Sequence, residues 1–135
     1  MNAESLDGLR QQASAAMRNA YAPYSGFRVG AALLDVHGGV TIGCNVENAA
    51  YPSGICAERA AVASAVAAGS RDFAAIVIAT EADTPTPPCG MCRQVLMEFS
   101  PELRVVSVTQ SGVETQWSIS DLLPEAFTPT SMGRR

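Results

Sequence analysis

Residues 73–80 read FAAIVIAT, a run without charge and without alternation of polar and apolar side chains. Such a run predicts a β-strand that is buried on both faces, because a strand with one solvated face shows a period of two. Helical patterns flank it at residues 57–68, which end before Gly69, and at residues 90–99, which end before Ser100-Pro101. The chain is therefore predicted to fold as an α/β protein around this strand.

The middle of the chain runs strand, helix, strand, helix, strand, which predicts parallel strands with right-handed crossovers. An antiparallel hairpin precedes them, so the sheet is predicted to be mixed. Ligands of such sheets bind beyond the carboxyl ends of the strands, near helix starts. The other predicted elements are a helix at residues 5–20 capped by Ser5, hairpin strands at 27–34 and 40–47 around the turn His37-Gly38-Gly39, strands at 103–109 and 114–119, and a helical turn within 121–127.

The 135 residues suit one domain, which we place at residues 1–135 with a disordered tail at 128–135. The start of the chain lacks the apolar core of a signal peptide, and no apolar stretch approaches the roughly 20 residues of a membrane span. We therefore expect a soluble, cytoplasmic protein with no membrane partner.

The net charge is −4, and all nine basic residues are arginine. Without lysine the chain has neither a Schiff-base lysine nor the lysine of a phosphate loop. It also has no basic cluster, which a protein that binds a nucleic-acid backbone requires. These features exclude nucleic acid as the expected partner and favour a small molecule of low charge.

Four cysteines in a cytoplasmic chain favour a metal site or catalytic thiols over disulfides. Cys89 and Cys92 lie three apart at a helix start, where both sulfurs can reach one ion and the helix dipole favours thiolates. Cys56 precedes the other helix. Cys44 shares a strand face with apolar residues at 40, 42 and 46, so it is predicted to be a core thiol. Three thiolates leave one tetrahedral position of a zinc ion open, as catalytic sites do.

Glu58 lies two residues after Cys56 and can reach a water at that open position. A redox site of the thioredoxin type, or a closed zinc site that includes Cys44, would also explain the cysteines, but neither needs this carboxylate. Three thiolates make the centre anionic, so the helix starts and the nearby Arg59 and Arg93 are candidates for electrostatic support.

The segments CAERA at 56–60 and PCGMCRQ at 88–94 resemble the two zinc motifs of cytidine deaminases. YAPYSGFRVGAA at 21–32 resembles the family's N-terminal segment, GCNVENA at 43–49 its nucleoside-binding strand end, and LLPEAF at 122–127 gives a weaker match. The resemblance implies a three-layer α/β/α fold with a mixed five-stranded sheet and one zinc ion per chain. The all-cysteine ligand set resembles the short homotetrameric branch, and His37 matches no ligand position.

The resemblance further implies hydrolysis of cytidine and deoxycytidine to uridine and deoxyuridine plus ammonia, in pyrimidine salvage. Cys56, Cys89 and Cys92 hold the zinc, and Glu58 moves protons between water, ring and departing amine. A blasticidin-type deaminase would share the zinc motifs but not the nucleoside-binding strand. The residues that the resemblance assigns to substrate binding are Phe27, Asn45, Glu47, the backbone of Ala57 and, for a neighbouring subunit's pocket, Tyr51 and Phe127.

Overall fold

A computed structural model describes residues 2–134 of the chain. A five-stranded sheet separates one long helix from the two helices that follow the hairpin, so the fold has three layers. The elements are α1 (Ala3–Met17), β1 (Val29–Asp35), β2 (Val40–Cys44), α2 (Ala57–Ala67), β3 (Phe73–Thr80), α3 (Gly90–Phe99), β4 (Arg104–Thr109), β5 (Glu114–Ser118) and α4 (Ile119–Leu122), with single 3₁₀ turns at Tyr51–Ser53 and Pro129–Met132.

The strand order is β2-β1-β3-β4-β5, with β3 and β4 parallel and the other neighbours antiparallel. The predicted mixed sheet is confirmed. Because β1 is antiparallel to both β2 and β3, these two strands run in the same direction, and α2 connects them as predicted. They are not neighbours, however, since β1 lies between them.

Helix α1 packs on β1 and β3 through an apolar stripe that includes Leu9, Ala13 and Met17. The helix approaches β1 so closely that a Cβ on Gly30 would collide with its backbone. The predicted helix is confirmed, but it begins earlier than predicted, at Ala3, and ends earlier, at Met17. Its N-cap is Asn2, whose side chain accepts a hydrogen bond of 2.8 Å from the Ser5 backbone N–H, so Ser5 is not the cap.

Helices α2 and α3 cover the opposite face, where Ala61, Ala65 and Leu96 pack on Ile76 and Ile78 of β3. Helix α2 also lies directly on β2. A Cβ on Gly43 would lie 2.5 Å from the carbonyl oxygen of Ala57 and 2.6 Å from the backbone nitrogen of Ala61. The absence of a side chain at Gly43 therefore sets how near the start of α2 comes to the sheet.

The prediction that Cys44 is a core thiol is wrong, because the apolar face of β2 is not covered. Val40, Ile42 and Val46 are 38%, 49% and 44% exposed, and Cys44 is half-buried. Strand β2 lies at the edge of the sheet, whereas α1 packs over the central strands. An apolar face at a sheet edge can therefore stay exposed within one chain.

The predicted disorder at residues 128–135 is not observed over the part that the structure describes. Residues Pro129–Met132 form a 3₁₀ turn that is closed by reciprocal hydrogen bonds between Thr128 and Ser131. Arg135 lies outside the described residues. Among residues 2–134, no helix combines the length and hydropathy needed to cross a bilayer.

Candidate active site

Three of the four cysteines meet where α2 and α3 begin. Cys56 is the N-cap of α2, Cys89 is the N-cap of α3, and Cys92 lies in the first turn of α3. Their sulfur atoms lie within 4.8 Å of one another, and the sulfurs of Cys56 and Cys89 are 3.9 Å apart. The predicted ligand set is thus brought together, whereas Cys44 stays on β2 and outside the cluster.

The donor set fits a zinc ion. Zn–S bonds of about 2.3 Å at a tetrahedral centre require sulfurs about 3.8 Å apart, close to the separation of Cys56 and Cys89. Three soft thiolate donors also suit zinc better than they suit magnesium or calcium, which take oxygen ligands. A fourth position is left for water or substrate, because the cluster offers three ligands.

Charge around the sulfurs favours thiolate at one of them. A hydrogen bond from the Cys92 thiol, together with the Arg59 guanidinium, lowers the pKa of Cys56 to about 5, although burial opposes this. The same contact with Cys56, with burial and the charge of Glu58, raises the pKa of Cys92. A bound metal ion would replace the hydrogen bond between Cys92 and Cys56, since each ligand sulfur must then be deprotonated.

Arg59 lies beside the cluster, as predicted. Its Nη2 lies 3.6 Å from the Cys56 sulfur, and its Nε is buried without a hydrogen-bond partner among the described residues. The hydrogen bonds of Arg93 go to backbone carbonyl oxygens and not to the sulfurs. Its Nε donates to the Pro88 carbonyl oxygen at 2.8 Å and its Nη1 to that of Leu122 at 2.9 Å, so it ties α4 to the start of α3 instead.

Glu58 lies in the first turn of α2 and is only 5% exposed. Burial raises the pKa of its carboxyl to about 7, and the negative charge of Cys56 adds to this effect. A carboxyl group with a pKa near neutrality can both accept and donate a proton at the working pH, as general acid–base catalysis requires. Its place next to the cysteine cluster makes it a candidate for that chemistry.

One cavity of about 450 Å³ joins the cysteine cluster to the predicted nucleoside-binding strand end. Cys56, Cys89 and Glu58 line this cavity together with Asn45 and Glu47. A cavity of this size suits a ligand of nucleoside dimensions. The other lining residues are Ser25, Phe27, Val29, Val46, Tyr51, Gly54, Ile55, Ala57, Arg59, Ile78, Thr80, Thr86 and Pro87.

The polar end of the cavity is built on hydrogen bonds to the segment before β1. Asn45 accepts from the Val29 backbone N–H and donates to the Phe27 carbonyl oxygen, each at 2.8 Å. Glu47 accepts from the backbone N–H groups of Tyr24 and Ser25 at 2.9 and 3.0 Å. Both predicted sugar ligands therefore also organise the segment that carries Phe27 into the cavity.

The predicted aromatic residues occupy different places. Phe27 lines the cavity and is 37% exposed. Tyr51, which was predicted to serve a neighbouring subunit's pocket, instead lines this chain's own cavity. It is 76% exposed, and its ring is edge-to-face with Tyr24 at 5.9 Å between centroids. Phe127 does not line this chain's cavity. It is 61% exposed, and its carbonyl oxygen accepts a hydrogen bond of 2.6 Å from the side chain of Gln94.

Several cavity residues were not anticipated as functional candidates. Ser25 and Thr86 line the cavity, and Thr86 lies 3.3 Å from the Thr80 hydroxyl. Outside it, Arg28 forms a paired contact with Glu81, which also accepts from the Arg28 backbone N–H. Ser25 belongs to the motif at residues 21–32, so the sequence did single out its segment. Its contact with Glu47, however, joins residues that are 22 apart in sequence and is seen only in the folded structure.

These features define a class of site: an open three-thiolate metal centre with a buried carboxylate beside it, at two helix starts of an α/β/α fold. Several known proteins are similar to this chain in sequence and in structure. The sequence model described as "Cytidine and deoxycytidylate deaminase zinc-binding region" matches residues 4–109. That span contains all three clustered cysteines and Glu58.

A cytidine deaminase of Halalkalibacterium halodurans is 44% identical over 125 residues, which cover 92% of this chain and 95% of the relative. The crystal structure of cytidine deaminase from Burkholderia pseudomallei superposes with a TM-score of 0.88 at 49% identity, covering 94% of this chain and 100% of that one. For the cytidine deaminase from Mycobacterium tuberculosis the TM-score is 0.79 at 39% identity, with coverages of 90% and 96%.

The chain therefore belongs to the cytidine and deoxycytidylate deaminase family. The resemblance noted in the sequence is confirmed, as is the α/β fold. The prediction of zinc as cofactor, one ion per chain, is confirmed by the match to the family's zinc-binding region together with the cysteine cluster.

Proposed function

We propose that this chain is a single-domain, zinc-dependent hydrolase that converts cytidine and deoxycytidine to uridine and deoxyuridine with release of ammonia. One observation carries the proposal: a single cavity is lined both by Cys56, Cys89 and buried Glu58 and by Asn45 and Glu47. The names of the relatives, all cytidine deaminases, support the same substrate.

In this proposal Cys56, Cys89 and Cys92 hold the metal. Zinc, when bound, supplies the Lewis acidity that makes water reactive at neutral pH. Glu58 takes a proton from water and gives it to the ring nitrogen. It then takes the second proton, from the hydroxyl group newly bonded to the ring carbon, and gives it to the amine, so that the C–N bond breaks and ammonia leaves. A carboxyl with a pKa of about 7 suits both directions of transfer.

The remaining residues bind and orient the substrate. Phe27 packs on the pyrimidine ring, the backbone of Ala57 contacts that ring, and Asn45 and Glu47 bind sugar hydroxyls. Arg59 offsets the charge of the thiolates. Tyr51 closes the rim of the cavity, and the exposed Phe127 completes the pocket of a neighbouring subunit.

The test is zinc content per chain together with the loss of cytidine absorbance, for the purified protein and for Glu58→Gln. We expect one zinc per chain in both, and a rate for Glu58→Gln lower by a factor of about 100 or more, since general acid–base catalysis contributes that much. Full zinc without turnover of cytidine or deoxycytidine by the unmodified protein would refute the proposal. Substantial activity in Glu58→Gln would refute the role of Glu58 alone.

Glu47 also bears on the choice between nucleoside and nucleotide. A carboxylate beside the bound sugar repels a 5′-phosphate, because two negative charges a few ångströms apart repel each other. We predict that cytidine monophosphate is turned over far more slowly than cytidine at the same concentration. Equal rates in a direct comparison of the two substrates would contradict this prediction.

We further propose a homotetramer, supported by the patch of apolar side chains that one chain leaves exposed at the edge of the sheet. Val40, Ile42 and Val46 lie on β2 or just beyond it, and Tyr51 and Phe127 lie elsewhere on the surface. Exposed apolar residues in one patch are typical of subunit interfaces. Sedimentation or native mass spectrometry should find four times 14.1 kDa, and Ile42→Asp should shift the mass towards the monomer.

The physiological setting is part of the same proposal. A deaminase of free nucleosides acts in pyrimidine salvage, and the absence of a basic cluster argues against a nucleic-acid substrate. None of the four cysteines forms a disulfide, as is usual in cytoplasmic proteins. Fractionation of the source cells, with activity assayed in each fraction, tests the cytoplasmic location.

A further inference from the structure

Ser25 lies in the segment between α1 and β1, where the chain turns before entering the sheet. Its backbone N–H and that of Tyr24 both donate to Oε1 of Glu47. The turn itself is closed by a separate hydrogen bond of 2.9 Å from the Gly26 backbone N–H to the Ala22 carbonyl oxygen. These backbone contacts do not involve the side chain of Ser25, so the turn has support independent of it.

The Ser25 hydroxyl joins two residues of the cavity. Its oxygen accepts a hydrogen bond of 3.0 Å from the Phe27 backbone N–H, and the hydroxyl donates to Oε2 of Glu47. A serine hydroxyl has a single proton, so the acceptance from Phe27 leaves that proton for Glu47. The hydroxyl thus links the position of Phe27 to the orientation of the carboxylate.

The hydrogen bonds to the Glu47 carboxylate leave one of its acceptor sites free. Each carboxylate oxygen accepts about two hydrogen bonds. Oε1 of Glu47 already has two N–H donors, and Oε2 has the Ser25 hydroxyl. One acceptor site on Oε2 remains, and Ser25 and Glu47 both line the cavity. The direction of that site depends on the rotation of the carboxylate, which the hydroxyl of Ser25 restricts.

We propose that Ser25 is a positioning residue, whose hydroxyl holds the Glu47 carboxylate so that its one free acceptor site receives a hydroxyl of the substrate's sugar. This inference rests on the proposed function, in which Glu47 binds the sugar. It assigns to Ser25 a part of substrate recognition without contact with the reacting atoms.

The experiment measures kcat and KM of the zinc-loaded enzyme for cytidine, 2′-deoxycytidine and 3′-deoxycytidine. The variants are Ser25→Ala, Ser25→Thr, Glu47→Gln and, as a matched control on the exposed first turn of α1, Ser5→Ala. Ser25→Ala removes the hydroxyl and keeps both backbone N–H donors, and Ser25→Thr restores the hydroxyl. Zinc content and the thermal midpoint are measured for each variant to register a loss of fold.

The sugar hydroxyl does not change charge in the reaction, so its hydrogen bond affects ground state and transition state alike. Ser25→Ala should therefore raise KM for cytidine about tenfold, the effect of one hydrogen bond to a charged group, with little change in kcat. The increase should disappear for the analogue that lacks the hydroxyl bound by Glu47. Ser25→Thr and Ser5→Ala should resemble the unmodified enzyme.

Two results would overturn the inference while leaving the sugar role of Glu47 intact. One is an unchanged KM in Ser25→Ala when Glu47→Gln raises it, and the other is an equal increase of KM for all three substrates. If the unmodified enzyme binds cytidine and both deoxy analogues equally well and Glu47→Gln has no effect, the sugar role of Glu47 and the role of Ser25 both fail. A failure to deaminate cytidine at all would refute the proposed function itself.

Discussion

At the scale of single residues, the site gathers negatively charged thiolates, which would be unfavourable without a cation beside them. Three thiolates in one cluster repel one another and weaken the Lewis acidity of a metal that they share. Arg59 is the cation near them, with Nη2 at 3.6 Å from the Cys56 sulfur. Its side chain is held there although Nε is buried without a partner among residues 2–134. A buried unpaired donor costs free energy, so its retention points to a function.

We predict that Arg59→Ala lowers zinc affinity about tenfold or more, the usual effect of removing a group that supports metal ligands. Competition with a chromophoric chelator measures the affinity, and activity is assayed at saturating zinc. Arg18→Ala is the control, because Arg18 is exposed at the end of α1 and belongs neither to the cavity lining nor to the cysteine cluster. Equal zinc affinity and equal activity in Arg59→Ala and the unmodified protein would contradict electrostatic support by Arg59.

At the scale of elements, the helix starts place the ligands, and small residues place the helices. Gly43 on β2 lies against the backbone of Ala57, one residue after Cys56, and of Ala61, three residues after Glu58. The distance from sheet to helix therefore also sets the position of Cys56 relative to Cys89 on α3. A shift of α2 by a few tenths of an ångström would change the sulfur cluster.

We predict that Gly43→Ala destabilises the protein by about 1–3 kcal/mol, as overpacking commonly does, and lowers zinc content. The physical reason is that the new methyl group meets backbone atoms of α2, which cannot rotate away. Thermal unfolding and metal analysis measure the two effects. Gly8→Ala is the matched control, since a Cβ at this helical position meets no atom within 4 Å. A normal midpoint and full zinc in Gly43→Ala would show that α2 can retreat without cost.

Element positions were predictable where local pattern decides them. The bounds of β3 and α3 match the prediction because local signals define them. An uninterrupted apolar run marks β3, and α3 begins after Cys89 and ends before Pro101. The exposure of Cys44 was not predictable, since it depends on β1 lying between β2 and β3. In the site, the zinc ligands follow from spacing. The contact of Ser25 with Glu47 and that of Arg28 with Glu81 connect residues 22 and 53 apart, which no local pattern specifies.

At the scale of the whole molecule, one ion pair joins elements from the two ends of the chain. Arg10 of α1 donates to both carboxylate oxygens of Glu114 on the edge strand β5, at 2.7 and 3.0 Å. The pair is partly buried, and the hydrogen bond from Arg10 lowers the pKa of Glu114. A lowered pKa in the folded state means that ionised Glu114 stabilises the fold.

We predict that Arg10→Met destabilises the protein by about 1 kcal/mol at pH 7, the upper range for pairs near the surface. This stabilisation is fully present above the unfolded-state pKa near 4.5 and is lost as pH falls through the lower folded-state pKa. The difference in thermal midpoint between the two proteins should therefore shrink below pH 4.5. Thermal unfolding at pH 7 and in that acidic range measures it. A difference that is independent of pH would indicate lost packing of the Arg10 stem rather than lost charge.

The cysteine cluster joins the starts of two helices that are 33 residues apart in sequence. A metal ion bound at both helix starts is thus a removable cross-link. The loop that it closes contains the whole of α2 and β3. A covalent bridge closing a loop of this length would reduce the entropy of the unfolded state by an amount equivalent to about 4 kcal/mol. A metal ion held by cysteines from both helix starts restrains the chain without a disulfide, because its binding free energy contributes to folding. Loss of the ion would then loosen the central strand as well as the site.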